Sequence, residues 1–224
     1  MNSKAKGVII FFLLIIVGFL CYHIVKNKDK NYVETPTIVN KIKKEYEDKD
    51  YVIDSAFSTN DVVFPYINLN YNGVSSINFQ IKDLYEKNRN KITAANYDSY
   101  INDNILSVMM KVTMDGIDDY YTYNINMENG REIAFDEVYY KYSQADLALK
   151  TKIGDYIDNS EEIQSHLDNI VLTKEYIVDN SYNNYKINAL SNNVKFFLGE
   201  KRDLNVVIKI ELNGIYDEYA VFSM

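Results

Sequence analysis

The sequence predicts an α+β body of antiparallel sheets with packed helices, preceded by one N-terminal transmembrane helix. Three observations carry this expectation. Residues 8–25 form an apolar run without a charge. Two later stretches alternate apolar and polar residues at the period of half-buried strands. Between them lie segments whose apolar residues recur every three or four positions, as on helices, and helices grouped between antiparallel runs read as α+β.

The N-terminal run reads VIIFFLLIIVGFLCYHIV. Eighteen residues at about 1.5 Å each span roughly 27 Å, enough to cross a hydrocarbon core. Residues 1–7 become a short cytoplasmic tail, 8–25 an anchor, 26–50 a charged spacer and 51–224 an extracytoplasmic domain. A cleaved signal peptide would need small residues before its cut, and Gly18-Phe19-Leu20-Cys21-Tyr22-His23 is bulky. A lipoprotein would need a small residue ahead of Cys21, where Leu20 stands. Lysines flank the run on both sides (Lys4 and Lys6; Lys26, Lys28 and Lys30), so charge gives little orientation. A short tail before a large body favours the N-terminus inside.

The spacer contains Pro36, one of two prolines, and Ile38, Ile42 and Tyr46 at helical spacing. Pro65 cannot donate to a central ladder, so the run at Phe64 should be an edge strand or a strand end. Ser75 or Ser76 is expected to cap a helix with a stripe of Ile77, Ile81, Leu84 and Tyr85. Leu106, Val108, Met110, Val112 and Met114 form one face of a strand that turns at Asp115-Gly116. Tyr121, Tyr123, Ile125 and Met127 form the next. Asn129-Gly130 then suggests a type I′ hairpin returning through Ile133 to Phe135, which completes a three-stranded meander. Gly130→Val should cost about 1–3 kcal/mol in backbone strain. Ser143 can cap a helix carrying Leu149, Ile153, Tyr156 and Ile157, and residues 160–169 a further one with Ile163, Leu167 and Ile170 inward. The C-terminal third reads as a second sheet. Residues 195–198 turn through 199–203 into 204–212, where Leu204, Val206, Ile208 and Ile210 share a face. Asn213-Gly214 turns into 215–222.

Without residues 1–31 the chain keeps 19 basic and 31 acidic residues, a net charge of −12 against −8 for the whole. Such a body repels nucleic acid and attracts cationic partners, although solubility alone accounts for many acidic surfaces. Cys21 is the only cysteine, so the body has no intramolecular disulfide and no thiolate metal site. No zinc-protease, nucleophile-elbow, phosphate-loop or calcium-loop motif is present. His166, the only histidine of the body, reads as an exposed helix residue. The acidic pairs Asp48/Asp50, Asp118-Asp119 and Glu161-Glu162 fall in expected turns or helix starts, where carboxylates are ordinary. No catalytic residue, metal ligand or cofactor is expected.

Twenty-one tyrosines and no tryptophan are the oddity. Tyrosine-rich faces stack on sugars or anchor proteins. Tyr121 and Tyr123 fall at core-facing positions, whereas Tyr120, Tyr139, Tyr140, Tyr182 and Tyr185 lie near expected turns and are the candidates for a glycan. Asp115, Asp118 and Asp119, read as one turn, are the candidates for a cationic protein.

The series Glu45-Tyr46-Glu47-Asp48-Lys49-Asp50-Tyr51-Val52, Phe64-Pro65-Tyr66-Ile67-Asn68-Leu69 and Ser76-Ile77-Asn78-Phe79-Gln80-Ile81 resembles the opening of an extracytoplasmic domain. That domain is shared by the sigma-V anti-sigma factor and certain peptidoglycan deacetylases. Ile105-Leu106-Ser107-Val108, Tyr123-Asn124-Ile125, Asn129-Gly130-Arg131-Glu132-Ile133 and Asn193-Val194-Lys195-Phe196-Phe197-Leu198 continue the likeness, which covers roughly 45–224. It implies an α+β domain outside the membrane. It is not expected to transfer an activity: no counterpart of the deacetylases' separate metal-binding catalytic domain is expected, nor a sigma-binding segment in the seven residues read as the cytoplasmic tail. The expectation is a non-enzymatic binding or sensing module at the cell envelope, recognising wall glycan or a lysozyme-like cationic protein. The alternatives are a wall-modifying hydrolase or transferase with acidic catalytic residues, or a structural subunit of a membrane complex.

Overall fold

A computed structural model describes residues 50–140, 146–167, 172–212, 214 and 216–224. The expected anchor, the spacer up to Lys49, Ser143, Ile170, Asn213 and Ile215 lie outside the described residues. Among those described, no helix is long and apolar enough to cross a membrane. Residues from Asp48 to Met224 form one compact unit.

That unit is α+β, with antiparallel sheets and five helices among the described residues. Strand β1 (Val52–Asp54) pairs with β2 (Pro65–Ile67), and Pro65 opens its strand opposite Asp54, at the strand end expected of it. Helix α1 (Asn72–Asn88) follows, burying Val74, Ile77 and Ile81. It begins earlier than Ser75 or Ser76. Tyr71 is the N-cap, and both serines sit in the first turns with their hydroxyls donating back to the Tyr71 and Asn72 carbonyls. Tertiary contact sets that start: the Tyr71 hydroxyl donates to the Glu128 carbonyl, and a Cβ on Gly73 would meet the Gly130 oxygen at 2.6 Å.

The first meander is β3 (Ile92–Asn102), β4 (Ile105–Met114) and β5 (Ile117–Asn126). Its type I′ turn is Asp115-Gly116, with φ of 52° and 84°. Asn129-Gly130 turns the chain differently: only Gly130 has positive φ, and the N–H groups of Asn129 and Gly130 both donate to the Asn126 carbonyl. The expected return strand shrinks to one bridge, Ile125 to Glu132, because Phe135 already opens helix α2 (Phe135–Tyr139). The third strand is instead β3, whose sequence ITAANYDSYIN is too polar to announce a strand.

Helices α3 (Asp146–Asn159), α4 (Glu161–Leu167) and α5 (Lys174–Leu190) come next, then β6 (Lys195–Leu198), β7 (Leu204–Glu211) and β8 (Asp217–Ser223). This second meander follows the expected strands closely. Leu204, Val206, Ile208 and Ile210 are all buried, with Leu149, Ile153, Ile157, Ile163 and Ile177 of the helices in the same apolar cluster. Fully burying each such side chain contributes about 1.5–3 kcal/mol.

The two sheets meet along a polar seam. β6 is an edge strand, and its outward backbone groups are met by side chains from one face of the first sheet. The Thr122 hydroxyl accepts from Phe196 N, and the Asn124 amide donates to the Phe196 carbonyl at 2.7 Å. The Ser107 hydroxyl accepts from Leu198 N, while Asn102 donates to the Gly199 carbonyl. Ser107 also donates to Asn124 Oδ1 at 2.7 Å. An open edge is a liability that proteins cover, and here the cover is made of side chains rather than a strand.

Candidate binding groove

Asp115, Asp118 and Asp119 do not form one acidic turn. Asp115 lies in the β4–β5 turn, 3.5 Å from the Lys91 ammonium. The other two are in β5, where successive side chains point to opposite faces. Asp118 accepts from Lys111 and from the Thr113 hydroxyl, both at 2.6 Å, and these bonds hold its carboxyl below the usual range despite partial burial. Asp119 accepts from Lys195 at 2.6 Å. Each carboxylate already faces a cation.

The five tyrosines also separate. Tyr120 is a half-buried strand residue whose ring lies 6.0 Å from the Lys111 ammonium. Tyr139 stacks on Phe135, with ring centres 5.0 Å apart. Tyr182 packs against the second core, and Tyr185, only 3% exposed, belongs to it. Tyr140 alone of the five is well exposed, at 67%. The expectation that Tyr182 and Tyr185 lie near a turn fails because α5 is a seventeen-residue helix. Its sequence KEYIVDNSYNNYKINAL carries asparagines and a serine where a core stripe would have aliphatics. Its start is marked by Thr173, whose hydroxyl accepts from Tyr176 N. Of the expected core tyrosines, Tyr123 is buried and Tyr121 is half-buried.

The same serine marks a concave site. The inner face of α5 presents Ile177, Val178, Ser181 and Tyr185, and Ser181 is 1% exposed with no partner for its hydroxyl among the described residues. It lies in a groove of about 190 Å3 between α5 and the start of β6, with Asn184 and Asn188 on the helix and Lys195, Lys209 and Tyr219 on the sheet. β6 ends its pairing at Lys195 opposite Val207, so β7 continues past it with an uncovered edge. By the alternation of the ladder, the Lys209 backbone N–H and C=O face that edge.

Both lysines at the groove are neutralised. Lys195 pairs with Asp119, its ammonium 5.2 Å from the Tyr121 ring centre and 4.6 Å from that of Tyr219. Lys209 lies between Glu211 and Asp217 at 2.5 and 2.9 Å, and those hydrogen bonds raise its pKa above the usual lysine value. Burial and the Asp119 carboxylate push the Tyr121 and Tyr219 hydroxyls up as well, so both stay protonated. The groove therefore offers hydroxyl, amide and backbone groups without a free charge. A wider depression of about 470 Å3 between α3 and α5 differs, since its walls carry the ion pairs Lys150–Asp179 and Lys174–Asp158.

Carboxylates also meet tyrosine hydroxyls away from the groove, Asp54 at Tyr97 and Glu218 at Tyr216. Glu218 accepts from the Tyr216 hydroxyl at 2.8 Å. His166 is half-buried rather than exposed, stacked on Tyr216 with ring centres 4.8 Å apart. Burial, then Glu218 and Glu162, raise the Tyr216 pKa. Among the described residues, no group of three or more His, Cys, Asp or Glu side chains is placed to hold a metal ion. Comparison with known proteins finds no matching family model, no matching curated protein and no matching solved structure.

Proposed function

We propose that this chain is a membrane-tethered binding or sensing module, non-enzymatic, whose α+β body stands outside the membrane at the cell envelope. The observation that carries the binding half is the groove beside α5, with its unpartnered buried hydroxyl. Buried polar groups are normally paired, and an orphan lining a concavity is a common sign of a missing partner. The apolar run at 8–25 and the likeness to the extracytoplasmic domain of the sigma-V anti-sigma factor and certain deacetylases support the location. Wall glycan is favoured over a lysozyme-like protein as partner. The aspartates proposed for a cationic partner are already engaged by Lys91, Lys111 and Lys195.

Two measurements test this. Protease added to intact, wall-stripped cells is expected to digest the body, and full protection until lysis overturns the location. The full chain in detergent, offered insoluble peptidoglycan, a lysozyme and solubilised membrane proteins in parallel, is expected to bind the first, with little dependence on salt. Retention by lysozyme alone, lost as salt rises, would replace glycan by a cationic protein.

A hydrolase with acidic catalytic residues is the second reading, and the observation favouring it is the Glu218 carboxylate held against the Tyr216 hydroxyl at 2.8 Å. Release of soluble fragments from peptidoglycan by the wild type, abolished in Glu218→Gln, would establish it.

A further inference from the structure

We propose that the groove between α5 and the β6–β7 step is a subsite for one uncharged sugar ring, held through hydroxyl and amide groups. The proposal rests on the glycan-binding reading and names the place and chemistry of recognition.

Four features select this ligand class. The first is size: about 190 Å3 lies below the ~300–1,000 Å3 of drug-sized pockets, room for a single ring and not for a nucleotide. The second is charge. Lys195 and Lys209, the cations at the site, are engaged by Asp119, Glu211 and Asp217, so a bare phosphate or carboxylate would have to break an existing pair to enter. The third is the donor and acceptor set. Ser181 Oγ can donate and accept, the Asn184 and Asn188 amides each supply two donors and an acceptor, and the open edge of β7 adds the Lys209 backbone. Sugar hydroxyls are matched by such mixed groups, because each hydroxyl donates once and accepts twice. The fourth is the orphan itself. Ser181 is 1% exposed and interrupts an apolar stripe on α5, where an alanine would spare the protein an unpaired hydroxyl. A residue that weakens the empty fold has its explanation in the occupied one.

The test uses the full chain in detergent micelles, with an N-acetylglucosamine tetramer as probe, read by calorimetric titration and by thermal melting. Saturable binding insensitive to salt is expected for the wild type. Ser181→Ala and Asn184→Ala are each expected to weaken it tenfold or more. Without sugar, Ser181→Ala should melt at the wild-type temperature or above it, since a buried unpaired group has been removed. Asn184 is only partly buried, so its variant keeps the test alive if the other folds poorly. Wild-type affinity in both variants, or a lowered melting point for unliganded Ser181→Ala, overturns the subsite. Peptidoglycan retention that survives both substitutions would leave the glycan-binding reading standing and place its contact elsewhere. A wild type that binds no tetramer overturns the subsite as well, and the lysozyme arm above then decides the wider reading.

Discussion

The β3–β4–β5 sheet and the β6–β7–β8 sheet share strand number and connectivity but bury different chemistry. In β7 the residues turned toward the helices are Leu204, Val206, Ile208 and Ile210, in a cluster drawn from four helices and three strands. The first sheet buries Leu106, Val108, Met110 and Val112 on one face and, on the other, polar side chains that complete the backbone of β6. Ser107 and Asn124 are 0% and 3% exposed, more deeply buried than several of the tyrosines. A polar strand face in this protein is thus an adhesive surface. It holds a neighbouring edge through directed bonds, where the second sheet relies on non-directional burial.

The turns sharpen the contrast and give the largest expected effect. Gly130 and Gly214 both have positive φ, 69° and 75°. A Cβ on Gly130 would lie 2.2 Å from that of Tyr71, whereas nothing lies within 4 Å of one on Gly214. Gly130→Val therefore combines strain with overpacking and should destabilise by about 4 kcal/mol, above the strain-only figure. Gly214→Val should cost about 1–2 kcal/mol from strain alone. Chemical denaturation of both variants checks the ranking, and equal losses would mean that the Tyr71 contact yields freely.

The seam should come next. Asn124→Ala leaves the Phe196 carbonyl and the Ser107 hydroxyl without their partner in a buried place, which should cost about 2–3 kcal/mol. Because Ser107 bonds both Asn124 and Leu198 N, the double variant with Ser107→Ala should lose less than the two single losses added together. A cycle measured by denaturant unfolding tests this. Strict additivity would show that the seam is a set of separate bonds and not a network.

These residues also explain what was legible beforehand. The second sheet was readable because its burial follows apolar alternation, and its strand limits agree with the expected ones within a residue or two. β3 was not, because an edge strand with Asn96, Asp98 and Asn102 owes its place to the ladder with β4 rather than to its own composition. The return strand expected after Asn129-Gly130 is a single bridge in the structure. The turn dipeptide signals a reversal, and whether a ladder follows depends on the next residues, here the start of α2. The groove was illegible for a related reason. Ser181, Asn184 and Asn188 look like solvent-facing helix residues, and only the packing of α5 on β7 buries the serine. Tyrosine content pointed to recognition, but most of the chosen rings are occupied by packing, a distinction that composition does not carry.

The smallest predicted effect lies in the connection between the two regions. Arg131, just past the first sheet, makes a two-pronged contact with Glu137 at 2.7 Å on both oxygens, and Glu137 also accepts from Ala134 N to close the start of α2. The Arg131 bonds, then the backbone bond, hold the Glu137 carboxyl at about 2, below its usual 4.5. A depressed carboxyl pKa contributes stability in full above the unfolded-state value and loses it as pH falls from about 4.5 through about 2. Both side chains are well exposed, 55% and 39%, so solvent screening keeps the contribution of the pair small. Arg131→Gln should therefore melt about 1 °C below the wild type at pH 6, with the gap closing by pH 2. A gap that stayed constant across that range would mean that Arg131 acts through the Glu132 carbonyl it also contacts, and not through the Glu137 charge.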